Sequence, residues 1–95
     1  MADSRMARRE DEQALTPVAT LVKLIIQALV DHPASIDVRE FVGQMSTVIE
    51  VESAPTDLGK LVGRHGRTAD ALRTLLVGFG GKANRRFILE LVEPR

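Results

Sequence analysis

The spacing of apolar residues in this chain runs from helical to alternating and back to helical. Val18, Val22, Ile25 and Leu29 recur at i, i+4, i+7 and i+11, with Leu21 and Ile26 beside them. That pattern predicts an amphipathic helix with one broad core-facing side. Thr16 is placed to cap it, and Pro17 suits the first helical position, where its missing N–H costs nothing. The helix is expected to end near Asp31, because Pro33 cannot continue it and disfavours helical geometry at His32.

Over residues 36 to 52 the period drops to two. Ile36, Val38 and Val42 are expected on one face and Asp37, Arg39 and Phe41 on the other, with Glu40 interrupting the apolar side. Thr47, Ile49 and Val51 alternate more cleanly with Val48, Glu50 and Glu52. Two strands joined through Gly43 and Gln44 make a hairpin whose acidic outer residues would repel phosphate.

Helical spacing returns after Pro55. Thr56 or Asp57 is expected to cap a very short helix carrying Leu58, Leu61 and Val62, stopped by Gly63. A second helix is predicted from about Arg67 to about Val77, burying Ala69, Leu72, Leu75 and Leu76. Gly78, Gly80 and Gly81 then read as a mobile loop before a third strand in "RRFILELVE". The predicted order is helix, strand, strand, helix, glycine loop, helix, strand, with no internal repeat. Residues 1–13 are polar, mixed in charge and aperiodic, so they are expected to be a flexible arm ahead of a single domain at 14–95.

A chain of 95 residues that is 44% hydrophobic can form little more than one core. It has no cysteine, so neither a disulfide framework nor a thiol metal site is expected. The greasy run Val18 to Val30 is interrupted by Thr20, Lys23 and Gln27, and the N-terminus lacks signal-peptide form. A soluble, cytoplasmic protein is the expectation.

Net charge is zero, but it is segregated. Residues 1–59 hold five basic and ten acidic side chains. Residues 60–86 hold seven basic ones (Lys60, Arg64, Arg67, Arg73, Lys82, Arg85 and Arg86) against Asp70 alone. Such a distribution draws a polyanion to the second segment. A solvated face balanced by acidic neighbours is the other reading of the same charges.

That segment contains "LVGRHGR", with two glycines bracketing Arg64 and His65. One use of helix-ending glycines is simply backbone geometry. Two of them also let the main chain pass close to a ligand, while the N-terminus of the next helix offers free N–H groups to a phosphate. A nucleotide-binding P-loop does not fit, since Leu61 stands where its first glycine belongs. His32 and His65 have no metal-ligand spacing, and no nucleophile, histidine and acid arrangement is evident. No enzyme activity, metal or cofactor is expected.

A short helix, "GRHG", a second helix and a strand, preceded by a helix and a hairpin, resemble the KH domain in its bacterial type II order, α-β-β-α-α-β. The stretches "LVKLIIQALVDHP", "STVIEVESAPTDLGKLVGRHGRTADALRTLL" and "ILELVE" are similar to the KhpA-type (YlqC-like) single-KH-domain RNA-binding proteins, over roughly residues 15 to 93. The resemblance implies an α+β fold in which three helices pack on one face of a three-stranded mixed sheet. It implies that Gly63, Arg64, His65 and Gly66 clamp about four nucleotides of single-stranded RNA, with Val62 on an apolar floor. It also implies a role as an RNA chaperone or post-transcriptional regulator linked to cell elongation and division. Self-association, or pairing with a Jag/KhpB-type KH protein, goes with that role. The longer polar arm and the glycine-rich "GFGGKAN" depart from the family pattern.

Lys60, Arg67, Lys82, Arg85 and Arg86 are candidate peripheral phosphate contacts on charge alone, and Arg73 and Arg86 read equally as surface ion-pair residues. Three phenylalanines without tyrosine or tryptophan favour groove binding over an aromatic stacking platform. Two other readings fit the residues. One is a helix-turn-helix DNA-binding protein, in which Arg67, Thr68, Asp70, Arg73 and Thr74 would face a duplex. The other is a protein-interaction module in which the glycine loop is only a turn.

Overall fold

Thr16 starts the first helix as its sequence context predicts. In the computed structural model, which describes residues 14–93, α1 spans Pro17–Leu29 and the Thr16 hydroxyl accepts from the Ala19 N–H at 3.4 Å. The expected arm at 1–13 lies outside the described residues. Glu40, which breaks the apolar side of the first strand in sequence, has a partner here. Its carboxylate accepts from the Thr16 N–H at 2.8 Å and from the Thr16 hydroxyl. A charged residue on the covered face of a strand is thus satisfied by the orphan donors of a helix start.

The hairpin forms from β1 (Asp37–Val42) and β2 (Ser46–Glu52), antiparallel to each other. After β2 come α2 (Leu58–Val62) and α3 (Arg67–Ala83), and β3 (Arg86–Val92) returns parallel to β2 in the order β1-β2-β3. Two strands can lie parallel only if the chain crosses over between them, and α2 and α3 are that crossover. The register aligns Val38, Val51 and Leu91 in one row and Glu40, Ile49 and Leu89 in the next. These rows meet Ala19, Val22 and Ile26 of α1, Leu61 of α2, and Leu72 and Leu76 of α3 in a single core. The result is the expected α+β architecture, with three α-helices and a three-stranded mixed sheet among the described residues.

Val42 lies on the same face as Val38, as expected, and is 64% exposed there. Three local expectations are corrected. Leu75 is 41% exposed rather than buried. It lines an open crevice of about 390 Å³ with Ile25 and Leu29, where α1 and α3 do not close on each other. Neither Thr56 nor Asp57 caps α2. The chain enters it through a 3₁₀ turn at Pro55–Asp57, and the Asp57 carboxylate turns inward.

The third correction is the largest. Residues 78–81 are not a loop, since α3 runs on through them to Ala83 and ends at Asn84 in the left-handed region (φ 55°). Gly80 explains the continuity. It is buried where β3 begins, and a β-carbon there would lie 2.5 Å from the Arg85 carbonyl oxygen. The glycine lets the incoming strand lie against the helix, and tertiary packing overrides the weak helix propensity of three glycines in four positions.

Candidate nucleic-acid interface

α2 ends because Gly63 adopts φ 79°, with its N–H still bonded to the Gly59 carbonyl at 2.9 Å. Arg64–Gly66 then make one 3₁₀ turn closed by the Gly66 N–H on the Gly63 carbonyl at 3.0 Å. Three of the four loop residues have positive φ: Gly63 at 79°, His65 at 57° and Gly66 at 74°. Histidine is among the few non-glycine residues that tolerate this region.

The two glycines are required for different reasons. At Gly63 a β-carbon would collide with the side chain of Thr68 and lie 2.8 Å from its backbone nitrogen, so the turn is wedged against the first turn of α3. At Gly66 the nearest atom would be Asp70 Oδ2 at 3.9 Å, so space is free and only the backbone angle calls for glycine. Gly66 is also the residue ahead of α3 and has no side chain to cap it. The Arg67 N–H is bonded to the Arg64 carbonyl, and the helix presents the N–H groups that follow it and the positive end of its dipole at the loop.

Around this point lie Lys60 from the last turn of α2, Arg64 and His65 in the loop, and Arg67 at the start of α3. All four are exposed. Among the described residues Arg64, His65 and Arg67 make no ion pair, while Lys60 lies 3.5 Å from Asp31. Val62 is 40% exposed beside them. The structure thus gathers Lys60, Val62, the GRHG loop and Arg67 at one exposed turn between α2 and α3.

The remaining basic candidates lie elsewhere. Arg73 points from α3 toward the outer edge of β3, with Nη2 3.5 Å from the Leu89 carbonyl and Nη1 3.8 Å from Asp70. With Val77, Arg86 and Ile88 it lines a groove of about 630 Å³ between α3 and β3. Arg85 also lines that groove, but its guanidinium donates to the Gly43 and Gln44 carbonyls, each at 2.8 Å, and to the Thr47 hydroxyl. It ties the start of β3 to the hairpin turn. Lys82 is about 22 Å along α3 from Arg67, at 1.5 Å per residue. It faces Pro17, Val18 and Leu21 of α1 on the opposite flank of that helix.

Several contributors escape sequence reasoning. Thr68 backs Gly63, Val77 and Ile88 line the groove, and Asp57 holds the base of α2. Thr68 alone left a signal, as a small polar residue next to a loop that needs a tight wedge.

A loop of this geometry between two helices, and a groove between the second of those helices and a parallel edge strand, define a recognisable module. A family model described as the KhpA/KhpB KH domain matches residues 19–91. The chain belongs to the KhpA/KhpB family of KH domains. The RNA-binding protein KhpA of Caldanaerobacter subterraneus is 44% identical over 72 residues, covering 76% of this chain and 96% of that protein. That of Halalkalibacterium halodurans is 42% identical over 74 residues, covering 78% and 97%. The Aquifex aeolicus protein is 38% identical over 79 residues, covering 83% of this chain and all of its own length. No solved structure matches the chain. Each of these three relatives carries the name of an RNA-binding protein. None of its described helices is long and apolar enough to cross a membrane.

Proposed function

We propose that this domain binds single-stranded RNA by clamping the phosphate backbone on Gly63–Arg64–His65–Gly66, without catalysis, in the cytoplasm. The observation that carries this reading is the left-handed loop set against the start of α3, with three basic-leaning side chains around it that make no ion pair among the described residues. Backbone N–H groups and the dipole receive one phosphate, Arg64 and Arg67 hold its neighbours, and Lys60 contributes once it exchanges Asp31 for RNA. Bases then lie along the groove between α3 and β3, against Val77 and Ile88, with Arg73 and Arg86 at its sides. Lys82 and Arg85 stand farther from the loop, and their part in binding is peripheral. The family resemblance supports RNA chaperoning or post-transcriptional regulation, tied to cell elongation and division, as the setting.

One KH unit offers few contacts, so pairing raises affinity through effective concentration. The crevice between α1 and α3, with Leu29 and Leu75 half exposed along it, favours a second KH unit as the partner, either another copy or a Jag/KhpB-type protein. If this surface is the whole function, the chain docks partners and leaves RNA alone.

Anisotropy of a labelled single-stranded RNA pool across a salt series separates the readings. The native chain should bind with affinity that falls as salt rises, by about 0.7 log units per log unit of salt for each phosphate contacted. Arg64→Asp/His65→Asp, checked for native circular dichroism, should lose most of that binding. Equal binding by the two proteins would move RNA to another surface, and binding by neither would favour the docking module.

A further inference from the structure

The loop is carried by α2, a helix of five residues, too short to hold its own position. What fixes its base is Asp57, whose side chain is fully buried. One carboxylate oxygen accepts from the Asp31 N–H at 3.2 Å. The other accepts from the His32 N–H at 2.9 Å and faces His32 Nδ1 at 3.1 Å. All three donors belong to the turn where α1 ends. A buried carboxylate that accepts charge-assisted bonds from a distant turn is a strong and directional joint.

We infer that Asp57 is a positioning residue for RNA binding, locking the base of the loop-bearing helix to the end of α1 so that Gly63–Gly66 is held ready for phosphate. This rests on the loop reading above. The joint lies at the base of the crossover, six residues before Gly63. Between them α2 makes little more than one turn, so a shift at Asp57 is passed along an almost rigid element to the loop. Lys60 reports on the same joint, because its ammonium meets Asp31 on the turn that Asp57 holds.

The test uses the full chain and two variants. Asp57→Asn keeps the shape but sets an amide N–H against backbone donors, and His32→Ala removes only the ring contact from a side chain that is 57% exposed. Below the melting temperature of every protein, Asp57→Asn should weaken single-stranded RNA binding by roughly tenfold and His32→Ala by roughly twofold to threefold. The double variant should be no weaker than Asp57→Asn, because both act through one contact. Amide NMR signals of residues 31–32 and 63–66 should shift while those of β2 stay in place, which a general loss of packing would not produce. Arg64→Asp/His65→Asp serves as the reference arm. If it loses binding while Asp57→Asn binds within twofold of the native chain, the positioning role is wrong and the loop reading survives. If the loop variant binds like the native chain, both fall. Should Asp57→Asn prove too unstable, the proposal stands or falls on His32→Ala, where unchanged affinity and unmoved loop signals overturn it.

Discussion

At the scale of single residues, the two loop glycines give a test that separates space from backbone strain. Gly66→Ala places a methyl in open space at a left-handed position and should cost about 1–2 kcal/mol. Gly63→Ala adds a collision with Thr68 to a backbone (φ 79°, ψ 168°) that is essentially restricted to glycine, and should cost more, roughly 3 kcal/mol or above. Urea unfolding of both variants checks the order, and equal losses would mean that the wedge against Thr68 is unimportant.

Asp57 carries a second residue-scale expectation. Burial pushes its carboxyl up, but the N–H groups of Asp31 and His32, together with the His32 ring, outweigh that and leave it below the usual carboxylate range. A group lowered in the folded state stabilises the fold at pH values above its unfolded pKa of about 3.9, and loses that contribution as pH falls through the folded value. Asp57→Asn should therefore be less stable than the native chain at neutral pH, and the gap should narrow below about pH 4. Denaturation midpoints from pH 7 to pH 2 would show it, and a constant gap would count against the charge. From sequence, Asp57 reads as one of two candidate caps. Its inward turn depends on a helix end 25 residues away in the chain, which no local pattern reports.

At the scale of elements, α3 is the place where local and tertiary preferences disagree. Glycine is normally a helix weakness of about 1 kcal/mol relative to alanine. A β-carbon at Gly78 or Gly81 would meet nothing within 4 Å, whereas at Gly80 it would strike the Arg85 carbonyl. Gly78→Ala and Gly81→Ala should each stabilise by about 0.5–1 kcal/mol, and Gly80→Ala should destabilise. Thermal melts of the three variants would settle the matter, and a stabilising Gly80→Ala would remove the packing explanation. The start of α1 is the opposite case. Thr16 and Pro17 announce it in sequence, and the structure adds only that Glu40 completes the cap.

At the scale of the whole molecule, the charge segregation seen along the chain becomes a segregation in space, though not a complete one. Lys60, Arg64 and Arg67 gather at the loop, while the uncovered sheet face carries the row Arg39, Glu50 and Glu90 and the acidic pair Asp37 and Glu52. A protein of zero net charge can therefore draw a polyanion to one surface and discourage it on another. The salt-dependent binding expected of the native chain is the consequence at this scale. Arg85 and Lys82 show the limit of counting charges, since one is spent on the hairpin turn and the other sits on the far flank of α3.

The sequence by itself determined the order of the elements, the helical and alternating faces, the mixed sheet through its family pattern, and the loop with its two glycines. These follow from spacing and from backbone angles that only certain residues adopt, and both are local properties. The tertiary structure decided how far α3 runs, which face of α3 each basic side chain occupies, why Glu40 stands on an apolar row, and where Asp57 points. Each of these depends on a contact between segments distant in the chain, where one carbonyl, one turn or one helix start supplies the partner that the local pattern cannot name.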